Sequence, residues 1–338
     1  MIAPPPGYRE SAGPLRIVSI GGGTGLSTLL HGLKEFARQG QVDISAIVTV
    51  TDDGGSSGRL RRDFDILPPG DIRNCMVALS EDEALLAKLF QYRFAAGRGL
   101  KGHSFGNLFL AALTHVTGDF HRAVKVSSEV LAIYGRIYPS TNQNVGLRAT
   151  MTDGTIVEGE SKITRSRKRI DRLELTQGKV KPLRDAVEAI MAADLITMGP
   201  GSLYTSIIPN LLVDGIANAI RRSKAAKCYF TNLMWQPWET MAYSAFDHVQ
   251  AIKAHGGKGT IQRVIVNTTP LNSAQRRLYA QAKVFPVELD TPRILELGLE
   301  VVGRPLLAKG VKVRHDPTAI ARIAVELASQ SRARKNQS

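Results

Sequence analysis

The sequence predicts an α/β fold in which helices cover both faces of a mostly parallel sheet, with a small β-hairpin arm added to it. Two observations carry this prediction. Apolar runs alternate with amphipathic helical stretches, which is the pattern of parallel strands joined by helical crossovers. Two of these runs also end in glycine-rich turns that lead directly into helical stretches, at residues 21–25 and 199–202.

The first βαβ unit is the clearest element. Residues 15–20 form a short β-branched run, and apolar residues then recur at helical spacing up to a stop at Gly40. Residues 44–50 follow as a near-continuous apolar run, which is expected of a strand buried on both faces of a sheet. A right-handed crossover is the default for such a unit.

The middle of the chain combines helices with a predicted hairpin. Asp153 and Gly154 lie between two strand-like runs, which is a strong hairpin signal. The basic segment 164–172 is interpreted as an insertion or an exposed arm, and residues 135–180 are assigned to this hairpin and basic insertion. The other predicted elements are helices near 105–116 and 119–133, strands at 193–198, 228–231 and 264–267, and a final helix at 318–327.

Composition limits the class of protein. The 338 residues include 44 Lys and Arg against 30 Asp and Glu, and the formal charge is +14. This excess indicates an anionic partner, which composition alone leaves open among nucleic acid, a membrane surface and a phosphorylated small molecule. A hydrophobic share of 43% excludes wholesale disorder. We expect one α/β domain over residues 15–328, between a flexible leader at 1–14 and a disordered tail at 329–338.

The sequence also bears on the compartment. Cys75 and Cys228 lie in apolar stretches and are expected to be ordinary buried thiols, because two cysteines make neither a disulfide framework nor a zinc site. The first 14 residues lack the apolar core of a signal peptide. Glycines and prolines interrupt the longest charge-free apolar stretch, residues 195–213, so we expect no membrane span. The expectation is a soluble protein in a reducing compartment.

Two glycine turns are the first candidate ligand sites, because ligands of open parallel sheets lie at the carboxyl ends of the strands. Glycine allows close backbone approach, and the helix after each turn presents N–H groups that suit a phosphate. The alternative for each turn is a tight connection without a ligand. The candidate residues here are Gly21, Gly22, Gly23, Thr24, Gly25, Gly199, Gly201, Ser202, Tyr204 and Thr205.

Two polar loops are the second group of candidates. Adjacent carboxylates at Asp52 and Asp53 suit ribose hydroxyls or a hydrated cation, and the Gly/Ser run after them suits an anion beside Arg59. The alternative is a solvated loop in which Asp52 caps a helix. Asp71 is either a helix N-cap or a metal or hydroxyl ligand, and spacing does not choose between them. The candidates are Asp52, Asp53, Gly55, Ser56, Ser57, Arg59, Asp71, Arg73 and Asn74.

Other signals are weaker. His103 and Asn107 lie at the start of a predicted helix, where they are either ligand-binding residues or structural ones. His248 is expected on a helix surface. No Ser-His-Asp order, nucleophile elbow or zinc-ligand spacing can be assembled. Few aromatic residues accompany the basic arm, so we do not expect a nucleic acid partner.

These loops resemble those of the YvcK-type proteins of the CofD-like superfamily. The resemblance extends from about residue 16 to residue 328. It rests on the runs Ile20-Gly-Gly-Gly-Thr-Gly-Leu26, Thr51-Asp-Asp-Gly-Gly-Ser-Ser-Gly-Arg-Leu60, Leu67-Pro-Pro-Gly-Asp-Ile-Arg-Asn-Cys75, Gly102-His-Ser-Phe-Gly-Asn-Leu108 and residues 199–210.

The resemblance implies a Rossmann-like fold and a cytoplasmic gluconeogenesis factor with roles in carbon use, cell shape and envelope synthesis. Its implied partner is a nucleotide-linked small molecule of the UDP-N-acetylglucosamine class, and a homo-oligomer is compatible with it. The alternative is a Mg²⁺-dependent transferase of the 2-phospho-L-lactate transferase type, with Asp71 as its catalytic or metal-binding residue. The loop at residues 51–60 follows the YvcK pattern, which favours a protein that is not an enzyme. No cofactor is assigned beyond a compatible Mg²⁺.

One segment departs from the family pattern. Residues 232–240 begin with the candidate ligand residue Asn232, but Trp235 and Trp238 replace small residues of the family. If this segment covers the ligand, the two indoles would narrow the pocket or stack on a base or sugar.

Overall fold

The computed structural model describes residues 13–81 and 85–337. Its strands in chain order are β1 (Leu15–Gly21), β2 (Val42–Val48), β3 (Arg136–Pro139), β4 (Leu147–Met151), β5 (Ile156–Glu158), β6 (Ile170–Leu175), β7 (Leu195–Met198), β8 (Ala226–Phe230), β9 (Arg263–Asn267) and β10 (Glu300–Arg304).

The helices surround these strands. In chain order they are α1 (Gly23–Arg38), α2 (Gly55–Phe64), α3 (Gly70–Leu79), α4 (Leu86–Gln91), α5 (Phe105–Thr117), α6 (Phe120–Val130), α7 (Glu160–Arg165), α8 (Arg184–Ala192), α9 (Ile208–Leu212), α10 (Ile216–Arg222), α11 (Ala245–Gly256), α12 (Ser273–Gln281), α13 (Thr291–Glu296) and α14 (Pro317–Lys335), with a π-helical turn at Leu203–Ile207.

Seven parallel strands form the central sheet in the order β10-β9-β8-β7-β1-β2-β3. The chain builds outward from β1 to β3 on one side and then from β7 to β10 on the other. The strand order therefore reverses between β1 and β7, which is the point where ligands bind in open α/β sheets. The predicted parallel α/β fold is confirmed.

Close packing of α1 against its neighbours holds the first βαβ unit in place. Its apolar face, which includes Leu26, Leu29 and Leu33, is fully buried. A Cβ added at Gly32 would lie 2.0 Å from the backbone oxygen of Pro317, so α1 and α14 touch backbone to backbone there. The terminal helix is thus part of the core layer that supports β1.

A small antiparallel sheet, ordered β5-β4-β6, contains the predicted β-hairpin arm. Its hairpin pairs Thr150 with Ile156 around Asp153 and Gly154, as the sequence predicts. Ile163 and Ile170 are buried in the main core, whereas the basic side chains between them, Arg165, Arg167, Lys168 and Arg169, are exposed. Strand β3, which was assigned to the insertion, belongs to the central sheet.

Two further expectations are wrong. The predicted disordered tail is helical to Lys335, because Arg332 binds Asp194 (Nε–Oδ2 3.1 Å) and Ser331 accepts a hydrogen bond from the Ala226 N–H. His248 is fully buried in α11, with Nδ1 2.8 Å from the Ser244 carbonyl oxygen. Residues 1–12 of the predicted leader lie outside the described residues. Both cysteines are buried free thiols, as expected.

Over residues 13–81 and 85–337, no single helix has the length and apolar character needed to cross a membrane. The helix pair Leu203–Leu212 and Ile216–Arg222, which is bent by 81°, is long and apolar enough for a membrane span only when its two helices are taken together. Most of its apolar side chains are buried in the core.

Candidate functional site

A cavity of about 500 Å³ opens at the point where β1 and β7 end. Both glycine turns line it, together with carboxylates from two polar loops and the small sheet. The lining residues are Gly22, Gly23, Thr24, Gly25, Thr28, Asp52, Asp71, Glu160, Pro200, Gly201, Ser202, Thr205, Ser206, Asn232, Leu233, Met234, Trp235, Gln236, Val313, Arg314 and His315.

The first glycine turn presents backbone to the cavity. A Cβ at Gly22 would lie 2.6 Å from Asp71 Oδ2, so only glycine lets the turn pass this carboxylate. Gly23 has a positive φ of 60°, and its N–H donates to Asp71. No side chain caps α1, and the next N–H groups, those of Thr24 and Gly25, have no partner within the helix. This turn can therefore accept an anion.

The second glycine turn lies directly against the first. A Cβ at Gly25 would lie 2.3 Å from the Pro200 oxygen. Here the N–H groups of Tyr204 and Thr205 already donate to Glu239 Oε1, at 2.7 and 3.3 Å. Burial raises the pKa of Glu239 to about 7, and these two N–H groups oppose the rise. The second turn thus offers the hydroxyls of Ser202, Thr205 and Ser206 to the cavity.

Three carboxyl groups face the cavity. Burial raises the pKa of Asp71 to about 6, and the charge of Asp52 adds to the rise. The pKa of Asp52 is raised by burial, although the carboxylate accepts a 2.8 Å hydrogen bond from the Gly54 N–H. Burial and both aspartates raise the pKa of Glu160, which accepts from Thr51 Oγ1 at 3.2 Å. These groups need hydroxyl donors or a cation to be stable as carboxylates.

The expected metal role of Asp71 can be tested on this geometry. Among the residues that the structure describes, no three His, Cys, Asp or Glu side chains converge to hold a metal ion. Mg²⁺ commonly uses one or two carboxylates together with the phosphates of a ligand. Asp52 and Asp71 fit Mg²⁺ only in that shared arrangement.

The opposite wall comes from segments 232–236 and 313–315. Gln236 Nε2 donates to Ser202 Oγ at 2.6 Å, and Asn232 Nδ2 donates to Gln236 Oε1 at 3.0 Å. Burial lowers the pKa of His315 to about 4, so the ring is neutral at pH 7. Its Nε2 lies 3.1 Å from the Thr231 carbonyl oxygen. This wall provides amides, an apolar surface and the exposed cation Arg314.

The two tryptophans have different surroundings. Trp235 lines the cavity and packs edge-on against Phe285. Trp238 is 40% exposed, outside the cavity, with the Arg167 guanidinium 4.8 Å above its ring. Only Trp235 can narrow the pocket or stack on its contents.

Comparison with known proteins gives the family. Residues 17–307 match the family described as 2-phospho-L-lactate transferase CofD. The gluconeogenesis factor of Halalkalibacterium halodurans is 49% identical over 311 residues, which are 92% of this chain and 95% of that protein. That of Bacillus subtilis is 47% identical over 313 residues, 92% of this chain and 98% of that protein. The chain belongs to the gluconeogenesis factor family, with a CofD-type domain.

The solved structures agree with the fold. A crystal structure of a UPF0052 family member from Bacillus halodurans shares 48% identity and a TM-score of 0.88, and the match covers 92% of this chain and 98% of that one. The predicted membership of the gluconeogenesis factor family is confirmed.

In this member of the gluconeogenesis factor family, the cavity collects only part of the predicted set. Tyr204 is turned away, with its hydroxyl 2.9 Å from that of Tyr243, and Asp53 accepts from the Ser161 N–H at 2.8 Å. The predicted residues that line it are Gly22, Gly23, Thr24, Gly25, Asp52, Asp71, Gly201, Ser202, Thr205 and Asn232. Those that do not are Gly21, Asp53, Gly55, Ser56, Ser57, Arg59, Arg73, Asn74, His103, Asn107, Gly199 and Tyr204.

Sequence reasoning missed two contributions to the cavity. Glu160 belongs to the small sheet region, and no local pattern indicates that this region packs against the strand ends. Arg314 and His315 follow β10, a strand that the apolar pattern did not predict. If β10 had been predicted, the rule that sites lie at carboxyl ends of parallel strands would have indicated the segment after it.

Proposed function

We propose that this gluconeogenesis factor is a cytoplasmic regulatory protein that binds a nucleotide-linked sugar of the UDP-N-acetylglucosamine class. Its regulatory output would concern carbon use, cell shape and envelope synthesis. One observation carries the proposal. The first glycine turn and the carboxyl groups of Asp52, Asp71 and Glu160 line the same cavity, so one ligand can contact both.

A nucleotide-linked sugar has the matching chemistry. Its diphosphate would accept hydrogen bonds from the Thr24 and Gly25 N–H groups, at the positive end of the α1 dipole. Its ribose and sugar hydroxyls would donate to Asp71 and Glu160. The volume of about 500 Å³ lies within the range of small-molecule pockets.

The apolar wall suits the flat part of such a ligand. Leu233 and Trp235 line the cavity opposite the first turn. An indole beside a base or a sugar face would bury apolar area without requiring a new charge. A bound ligand would then contact both α1 and the 232–236 segment. Through these contacts, ligand binding would alter the protein surface that a partner protein binds.

The acidic residues of the cavity favour a second candidate function, a transferase. A Mg²⁺-dependent transferase would use Asp52 and Asp71 together with ligand phosphates to hold the ion, which would stabilise negative charge during transfer. Asp71 would then lie nearest the first turn and the donor phosphates. The CofD description of the matched family is consistent with this reading.

Isothermal titration with UDP-N-acetylglucosamine tests the proposal. We expect saturable binding that Asp71→Asn weakens about tenfold or more, because a charge-assisted hydrogen bond is lost. Asp63→Asn is the matched control, since Asp63 is exposed on α2 and lies outside the cavity. Absence of both heat and thermal shift at saturating ligand would remove the proposal. Turnover of a nucleoside-diphosphate-linked donor, lost in Asp71→Asn, would establish the transferase instead.

A further inference from the structure

Several predicted site residues outside the cavity form a polar cluster of their own. We call it the arginine cluster, and it consists of Ser56, Arg59, Arg73, Arg93, His103 and Asn107. It lies where the amino-terminal ends of α2 and α5 meet. None of its members lines the cavity.

Buried hydrogen bonds hold the centre of the arginine cluster. Asn107 Nδ2 donates to Ser56 Oγ at 3.2 Å, and Ser56 Oγ lies 3.0 Å from His103 Nδ1. Ser56 and His103 are each 5% exposed, and Asn107 is 2% exposed. Arg73 Nη1 donates to the Ser104 hydroxyl at 2.6 Å. Residues of two helix amino-terminal ends are thus fixed around one point.

Nearby carboxylates balance the charge of the arginine cluster only in part. Over residues 13–81 and 85–337, its three guanidinium groups form no ion pair with a carboxylate and bind only neutral oxygens. Burial and the charge of Arg93 lower the pKa of Arg73, and the charges of Asp71 and Asp52 oppose this shift. Burial, Arg59 and Arg93 lower the pKa of His103, and Asp63 opposes them. The two helix ends add further positive potential.

Two polar atoms of the arginine cluster lack partners. Asn107 Oδ1 and Arg73 Nε are buried and have no hydrogen-bond partner in the described part of the chain. A buried acceptor or donor without a partner destabilises the folded chain. The cluster therefore needs a group that is anionic and that also carries one hydrogen-bond donor.

We propose that the arginine cluster is a second anion site, which takes a protonated phosphate group from inorganic phosphate or a phosphorylated small molecule. The phosphate oxygens would accept from the arginines, and the phosphate hydroxyl would donate to Asn107 Oδ1. Gly55 is exposed, and the space beside it is open, so an anion can approach the first turn of α2. This site shares no residue with the nucleotide-sugar cavity and does not depend on the proposed function.

The side chains at the surface suit this role. Arg59 donates to the Lys101 carbonyl oxygen at 3.0 Å, and Arg93 donates to that of Gly102. These carbonyls are in an exposed loop, so both guanidinium groups can exchange them for a phosphate oxygen. Sulfate has the same shape but no proton at neutral pH, and it would leave Asn107 Oδ1 without a partner.

NMR titration of the His103 ring tests the site. Inorganic phosphate should shift the ring signals saturably, and sulfate should bind at least about tenfold more weakly. Arg73→Gln should weaken phosphate binding about tenfold or more, and Arg59→Gln provides a second test if Arg73→Gln does not fold. Arg62→Gln is the control, because Arg62 is exposed on α2 and outside the cluster. Phenyl phosphate separates the sources at about pH 5.5, where much of a phosphate monoester keeps its proton. Tighter binding than inorganic phosphate indicates a phosphorylated small molecule, and weaker binding indicates inorganic phosphate.

Three results would each overturn the proposal. The first is a His103 signal that does not respond saturably to either phosphate. The second is equal binding of phosphate and sulfate, and the third is equal phosphate binding in the wild-type chain and the folded Arg73→Gln variant. Loss of UDP-N-acetylglucosamine binding would not affect this outcome, because the two sites use different residues.

Discussion

The two glycine turns look alike in sequence and differ in what they can bind. Both follow adjacent strands, and Gly25 of the first turn packs against Pro200 of the second. The first turn leaves the Thr24 and Gly25 N–H groups open to the cavity, whereas Glu239 takes those of Tyr204 and Thr205. A glycine turn therefore predicts close backbone approach, but a distant carboxylate decides whether its N–H groups are available.

Loss of the contact between the turns should have the largest effect. Gly25→Ala would place a Cβ 2.3 Å from a backbone oxygen that cannot move aside. We expect the free energy of unfolding in urea to fall by about 3 kcal/mol or more. Gly21→Ala is the matched control, because its Cβ would meet Leu26 at an ordinary 3.5 Å. A change within about 1 kcal/mol is expected there. Equal losses in the two variants would contradict the close contact.

The carboxylate that occupies the second turn should have the next largest effect, and the effect depends on pH. The pKa of Glu239 is about 7 in the folded chain against an ordinary 4.5, so the folded chain binds a proton more tightly. The resulting stabilisation is complete below pH 4.5 and is lost as the pH rises through 7. Glu239→Gln keeps an acceptor for the two N–H groups and removes this titration.

Urea denaturation between about pH 5 and pH 8 measures that difference. The free energy of unfolding of Glu239→Gln should gain about 2–3 kcal/mol relative to the wild-type chain over this range. Glu288→Gln, at an exposed position, serves as the control. Parallel pH curves for Glu239→Gln and wild type would show that Glu239 is not held in this environment.

The tryptophans should give the smallest effect. Trp235 lines the cavity and Trp238 does not, so ligand binding should change the fluorescence of Trp235 alone. In Trp238→Phe the fluorescence change on adding UDP-N-acetylglucosamine should persist, and in Trp235→Phe it should disappear with binding weakened only a few-fold, about 1 kcal/mol. A signal that disappears in Trp238→Phe would place the ligand elsewhere.

The sequence predicts what is local and misses what depends on distant packing. The spacing of apolar residues predicts the first βαβ unit, and the turn residues Asp153 and Gly154 predict the hairpin. Both elements are present in the structure. Glu160 reaches the cavity only because α7 lies beside the loop after β2, where Asp53 accepts a hydrogen bond from the Ser161 N–H. The helix continues beyond residue 328 because Arg332 donates a hydrogen bond to Asp194, a residue that is distant in sequence. Likewise, the sequence predicts Tyr204 as a ligand-binding residue of the second turn, but its hydroxyl pairs with that of Tyr243.

Backbone amide NMR is the most direct test of the claim that the first turn holds the diphosphate and the second does not. On titration with UDP-N-acetylglucosamine, the amide signals of Thr24 and Gly25 should shift the most. Those of Tyr204 and Thr205 should change little, because Glu239 already accepts from both. Large shifts at Tyr204 and Thr205 with an unchanged first turn would contradict the account.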